Sequence, residues 1–397
     1  MRRLSYLIGM MLLCSLLLTG CWSSKEIEER SVYVGMAVDL ANKTTAEKQL
    51  ESQGGGTQVQ PLITATIQIV PLKSVGRGQQ QAESGSIKKY LNVSETGNSI
   101  FEIMRNYSLK RDRAVIGHHL KVFVISTELA EKIELHKLLD FLLRDNDIRP
   151  SSMVFLSRGK AMDTLESDEP DEIPAFRIRD MVRNKFRNNK IYKEVILTNL
   201  DGYFHAKQSF ILQNIAAADT GEIEFTGAGI IKGSTNKWIG DLDQENLSAI
   251  SWIQGDSSGG LLKTVNDRNS IITYEILSGE SKIIPKVDGE RLSFHVDIKT
   301  EGRLIETWDA EETASKAFFL KEAEQKFEQK LETMLQNLMK KMQTEYKVEV
   351  AGFGDRLRIT HPKVWKKVKD DWDDIFSRAT VSFDISLKIT DYGSSTE

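Results

Sequence analysis

Both cysteines of the chain, Cys14 and Cys21, fall within its first 21 residues, and the remaining sequence has none. A body without thiols can form neither a disulfide framework nor a cysteine-ligated zinc site, so packing alone must hold its fold. The placement of the two cysteines also indicates where the body works. Arg2 and Arg3 form a short basic start, a mostly apolar run extends from Leu4 to Leu18, and Leu18-Thr19-Gly20-Cys21 sets small residues before a cysteine. That is the pattern of a lipoprotein secretory signal. The apolar run is shorter than the ~20 residues a membrane-crossing helix needs. Residues 1–20 are therefore expected to be removed and Cys21 to become the amino terminus, with a diacylglyceryl group on its sulfur. Two acyl chains, at ~0.8 kcal/mol per buried methylene, attach a protein lastingly to lipid where one chain does so only marginally.

The 377 residues left after residue 20 are enough for two or three domains. With 40% hydrophobic and 28% charged residues, the body reads as an ordinary globular chain. No later stretch approaches ~18 consecutive apolar residues, so no second span is expected. The formal net charge is -4 and falls by two, to -6, once Arg2 and Arg3 leave. That balance argues against nucleic acid as a partner, because phosphate binding needs a surplus of cations.

Periodicity divides the body. Alternation predicts strands at Val32–Val38 and Leu62–Val70, the second stopped by Pro71, with polar loops at Asn42–Gln60 and Lys73–Lys88. Helices are predicted at Ser99–Leu109 and Leu135–Leu143, and strands at Leu120–Ile125 and Met153–Leu156. An acidic stretch, Glu166–Glu172, precedes a basic helix-like one that carries Arg177, Arg179, Arg183, Lys185, Arg187, Lys190 and Lys193. The two blocks either neutralise each other or leave a basic face for anionic headgroups. Further on, helices are predicted at Thr198–His205 and Asp243–Ile253, around strands at Ser209–Ile215, Glu222–Ile231 and Lys237–Gly240. Four strand-like runs lie between Leu261 and Trp308, separated by Asp267–Asn269, Gly279 and Asp288-Gly289, and predict an antiparallel sheet.

From Glu311 to Tyr346, Ala323, Phe327, Leu331, Met334, Leu338 and Met342 keep one apolar stripe, as expected for a long helix packed across that sheet. A helix opened by His361-Pro362 puts Trp365, Val368, Trp372, Ile375 and Phe376 on one stripe, and Thr380–Thr390 closes as a strand. In that helix the lysines come first and the aspartates second, the reverse of what a helix dipole favours. The whole reads as an α+β fold of mixed and antiparallel sheets flanked by helices in three domains. Residues 21–195 form an N-terminal α+β domain, 196–266 a middle one, and 267–391 a C-terminal domain with the sheet and the long amphipathic helix.

Signals for catalysis are poor. None of the six histidines pairs with glutamate at the spacing of a zinc hydrolase helix, and the adjacent pair His118-His119, entering a strand, is expected to point to opposite faces. No Gly-x-Ser-x-Gly elbow occurs, and the Ser-x-x-Lys pairs Ser86/Lys89 and Ser157/Lys160 lack their companion motifs. No metal site, catalytic residue or cofactor is expected beyond the lipid on Cys21.

These residues resemble the Ger(x)C family, the lipoprotein C subunits of spore germinant receptors. The resemblance begins at Gly20-Cys21-Trp22, continues through Ser31–Asp39 and the strand end Thr66-Ile67-Gln68-Ile69-Val70-Pro71, and includes Gly117-His118-His119-Leu120-Lys121-Val122. Phe141–Arg149 is similar to the family's Arg-Asp-x-x-x-Arg stretch, and Gly352-Phe353-Gly354 with Pro362, Trp365, Lys366 and Trp372 to its closing motif. Cys21-Trp22-Ser23 departs from the common Cys-Trp-Asp, and Val350-Ala351 from an Asp-containing run. The resemblance implies a non-enzymatic lipoprotein on the outer face of the inner spore membrane. There it would assemble with an A subunit and a permease-like B subunit to respond to nutrients. Arg144, Arg149 and Trp365 are candidates for partner contacts, against the simpler reading of an ion pair or a core tryptophan. A lipid-anchored solute-binding protein is the alternative and would need two similar lobes about a cleft. A tethered hydrolase would need a converging Ser, His and carboxylate.

Overall fold

In a computed structural model of the chain, the described residues are 30–41, 61–71, 88–169, 171–218, 221–289, 291–309 and 317–392. The leader, Cys21, the loop Asn42–Gln60, almost all of Lys73–Lys88 and the first residues of the expected long helix lie outside them.

Among the described residues, nine strands make the first sheet. They are β1 (Arg30–Leu40), β2 (Ile63–Val70), β3 (Leu91–Gly97), β4 (Ala114–Ile116), β5 (Val122–Ser126), β6 (Met153–Ser157), β7 (Phe210–Ala217), β8 (Ile223–Lys232) and β9 (Lys237–Leu242). The order is β3-β2-β1-β5-β6-β7-β8-β9, with the short β4 alongside β1. The interior strands β1, β5, β6 and β7 run parallel, and antiparallel pairs flank them on both sides. Parallel strands are covered on both faces, which is why β5 and β6 are buried at every position. On one face α1 (Ile100–Asn106), α2 (Thr127–Lys132), α3 (Leu135–Arg144) and α5 (Leu197–Ala206) cover Met36, Val38, Ile67, Phe123 and Ile125. On the other, α4 (Pro174–Met181) and the tight turns at Ala161–Leu165 and Val182–Arg187 cover Val34, Ala37, Val122, Val124 and Phe155.

The second sheet is β10 (Leu261–Val265), β11 (Ile271–Asp288), β12 (Arg291–Thr307) and β13 (Thr380–Asp391) in that order. β10, β11 and β12 are antiparallel, whereas β13 lies parallel to β12 and needs a crossover. The long helix supplies it. Described from Ala317 to Lys340 as α7 and widened into π-type turns at Lys341–Glu345, it buries Phe319, Ala323, Phe327, Leu331, Met334, Leu335, Leu338 and Met339. Tyr274 of β11 meets Phe327 with ring centroids 5.4 Å apart. Between this sheet and the first lies α6 (Gln244–Ile253), which has no exposed residue from Asn246 to Ile253. The architecture is α+β, as expected. The expected boundary at residue 195 falls between β6 and β7, inside the run of the first sheet, and the one at 266 between β10 and β11.

Three details correct the sequence reading. Gly279 does not separate two strands: β11 runs through it, and the glycine lets the strand pass against Ser257 and Trp252, where a Cβ would strike the Ser257 hydroxyl. The helix from Pro362 is also not continuous. It stops as α9 (Pro362–Val368), tightens at Lys369–Asp371 and restarts as α10 (Trp372–Ser377), preceded by α8 (Phe353–Thr360). The charge order then becomes favourable, with Lys366 and Lys367 in the last turn of α9 and Asp373 and Asp374 in the first turn of α10. Lastly, His118 and His119 sit on a turn closed by the Leu120 amide donating to the Gly117 carbonyl at 3.0 Å, not on a strand.

Candidate functional site

The motif residues fold inward as latches. Asp39, at the end of β1, is buried and accepts the Ala161 and Met162 amides at 2.6 and 3.0 Å. Burial raises its carboxyl above the ordinary range, against those two bonds and the Ser126 hydroxyl. Gln68, fully buried in β2, donates to the Leu165 carbonyl at 2.7 Å and accepts the Ala175 amide at 2.9 Å, which ties the start of α4 to the sheet. Gly35 completes this seam, because a Cβ there would lie 2.9 Å from the Ala175 Cβ.

A second latch lies in the closing motif. Glu349, 2% exposed, accepts the amides of Ala351, Gly352 and Gly354 at 2.6, 2.7 and 2.8 Å and the Trp372 indole N–H at 3.1 Å. Its own amide donates to Asp373 Oδ1 at 3.0 Å, while Asp373 Oδ2 accepts the Ser209 hydroxyl at 2.6 Å. Ser209 Oγ in turn accepts the Gly233 amide at 2.9 Å. One chain of bonds therefore joins α8 and α10 to the ends of β7 and β8. Burial pushes both carboxyls up, and the donated hydrogen bonds pull against it. Sequence reasoning picked out Gly352, Gly354 and Trp372 but missed Glu349, the acceptor that holds them. A glutamate three residues before a Gly-Phe-Gly turn was the available signal.

The partner-contact candidates are not brought together. Cys21 lies outside the described residues. Arg144 ends α3 with its side chain 78% exposed and bonds Asp140 at 2.7 Å within the helix. Arg149 is exposed on the following loop and helps hold the His119 imidazole below its ordinary value, after burial, the larger cause. Trp365 is half-buried on α9, its ring 5.3 Å from that of Trp372. Beside Arg144 the surface is aromatic: Phe101, 48% exposed, meets Phe141 at 5.5 Å, and the Arg105 guanidinium covers Phe101 at 4.9 Å. Grooves of about 600 and 540 Å³ lie on either side and share Phe101, Phe141 and Arg144 as walls. Much of the basic stretch is neutralised, Arg177 by Glu172, Arg179 and Arg183 by Asp180, and Lys185 by Asp256.

Among the described residues no cluster of three His, Cys, Asp or Glu side chains is placed to hold a metal. His295 Nδ1 lies 3.0 Å from Ser382 Oγ, but no bond joins that half-buried residue to a carboxylate among the described residues, as a nucleophilic triad requires. Nor is any described helix long and apolar enough to cross a membrane.

Two family models match the chain in tandem: "Spore germination protein N-terminal domain" over residues 23–217 and "Spore germination B3/ GerAC like, C-terminal" over residues 226–393. Spore germination protein YndF of Bacillus subtilis (strain 168) is 37% identical over 97% of this chain and 96% of its own. Spore germination protein B3 of the same organism is 29% identical over 95% of each chain. The crystal structure of the GerBC protein aligns with a TM-score of 0.60 and 27% identity, covering 89% of this chain and 97% of that one. A two-sheet α+β body matched from end to end by such relatives defines a spore germination protein of the germinant-receptor class. Within that class the chain belongs to the Ger(x)C family.

Proposed function

We propose that this chain is the non-enzymatic, lipid-anchored C subunit of a nutrient germinant receptor, on the outer face of the inner spore membrane. The observation that carries the reading is the tandem family match, which spans residues 23–393 with only a short gap and starts two residues after Cys21. A diacylglyceryl thioether on Cys21 would tether the body. Eight residues lie between Cys21 and Arg30, the start of β1. At no more than about 3.6 Å per step, they keep the start of β1 within about 32 Å of the headgroups. In that position the exposed aromatic ledge at Phe101 and Phe141, with Arg144, Arg149 and Trp365, offers contacts to the A and B membrane subunits. Among the described residues, two sheets of nine and four strands with different topologies are not the equivalent lobes that a solute-binding protein would present.

The test is Cys21→Ala in spores. The variant is expected to leave the membrane fraction and to slow nutrient-triggered germination, while germination by a non-nutrient trigger stays unchanged. A variant that remains membrane-bound and fully competent contradicts the reading.

A further inference from the structure

Among the described residues β13 is the terminal strand of its sheet, and the way its outer edge is closed leaves a gap. Its register with β12 is unbroken from Thr380 to Ile389. Along a strand, successive residues direct their backbone N–H and C=O groups to opposite sides, so one parity faces β12 and the other faces out. The odd residues face out, as three bonds show. The Ala379 carbonyl accepts Gln343 Nε2 at 2.7 Å, the Leu387 amide donates to Glu328 at 3.0 Å, and the Ile389 amide donates to Glu324 at 2.9 Å. Side chains of α7 and the turns after it thus cap both ends of the edge. Between the caps, the outward groups of Val381, Phe383 and Ile385 bond to no other element among the described residues. Open edges are ready templates for another strand, and proteins usually block them.

The side chains state what would fit. Val381, Phe383 and Ile385 are half-buried against the main core, whereas Ser382, Asp384 and Ser386 are exposed on the other face. A row on that face runs Lys282, Asp297, Asp384 and ends at the edge with two carboxylates side by side. Like charges opposite each other are destabilising, and a cation beyond Asp384 would relieve them. We infer that Val381–Ile385 is a docking edge for an extended segment of a membrane subunit, with apolar and polar residues alternating and a lysine or arginine beside Asp384. Such strand addition draws affinity from main-chain bonds and specificity from alternate side chains. A second copy fits less well. Antiparallel self-pairing centred on Phe383 sets Asp384 beside Ser382, and centred on Asp384 it sets two carboxylates together, so neither register supplies a cation.

The source of the strand rests on the receptor-subunit reading, whose failure would show in the Cys21→Ala spores and not in the following measurement. Hydrogen exchange of the full-length protein in spore membranes is compared, at residue resolution, with that of the same protein extracted and purified. The amides of Val381, Phe383 and Ile385 are expected to exchange about ten-fold or more slowly in membranes than in the purified protein. Asp384→Lys is expected to abolish that difference while β12 amides stay protected, which shows that the sheet is intact. Equal exchange in both preparations would overturn the proposal. So would slow exchange in the purified protein, because the edge would then be covered by the chain itself or by a second copy.

Discussion

Glu349 is an acidic side chain used as a structural acceptor. Removing it by Glu349→Ala leaves the amides of Ala351, Gly352 and Gly354 and the Trp372 indole facing an apolar void. The expected loss of stability is about 3 kcal/mol or more, read by urea unfolding. Glu349→Gln keeps the volume but turns an amide against donors, so an intermediate loss is expected. His119 gives a prediction in pH. Burial, with Arg149, Lys121 and His118 alongside, holds its imidazole below 6.5. The unfolded chain therefore binds that proton more readily. The group's contribution to stability is present above pH 6.5 and lost as the pH falls through the lower folded value. An NMR titration should place the His119 midpoint below 6.5, and Arg149→Ala should move it upward. The sequence showed Gly35, Asp39 and Gln68 as a pattern but not as latches. The amides that Asp39 and Gln68 accept, those of Ala161 and Ala175, lie more than a hundred residues away, and backbone groups leave no trace in composition.

Among the elements, α7 was legible because its stripe is long and its face single. Phe327→Ala, at the centre of that stripe and against Tyr274, is expected to cost about 3–5 kcal/mol in chemical denaturation. Gly35→Ala tests the seam on the opposite side of the molecule. A methyl 2.9 Å from Ala175 and 3.1 Å from Leu165 has to push α4 off the sheet, at a cost of about 1–3 kcal/mol. The misread elements share a cause. The period of 3.6 runs through Val368 into Trp372 because the break between α9 and α10 spans just three residues, so periodicity alone could not see it. The reversed charges were the sign of two helices. Gly279 misled in the other direction, since a glycine inside a strand marks either a turn or a close neighbour, and here Ser257 is the neighbour. The short β4 and α2 carry too few residues to set a period at all.

At the scale of the whole molecule, one apolar core reaches from Tyr33 of the first sheet to Leu387 of the second, and the Glu349–Asp373–Ser209 chain of bonds crosses the same boundary. The two sheets are therefore expected to unfold together. Single-tryptophan variants retaining Trp238 on β9 or Trp372 on α10 should report coincident urea transitions. Two separated midpoints would show that the sheets are independent. The class of the fold and its order of strands and helices were largely readable from periodicity. The joining of strands on either side of residue 195 into one sheet was not, because pairing between β6 and β7 is a long-range choice that local spacing does not encode.

The parallel pairing of β12 with β13 also sets an order on biogenesis. As the polypeptide emerges from the ribosome, β12 is complete while its neighbour is still unmade, and α7 to α10 must follow before that strand arrives. The edge of β12 from Ser293 to Arg303 stays open in the interval, while its other edge already pairs with β11. For that interval the open edge is a place where the growing chain can mispair or meet another copy.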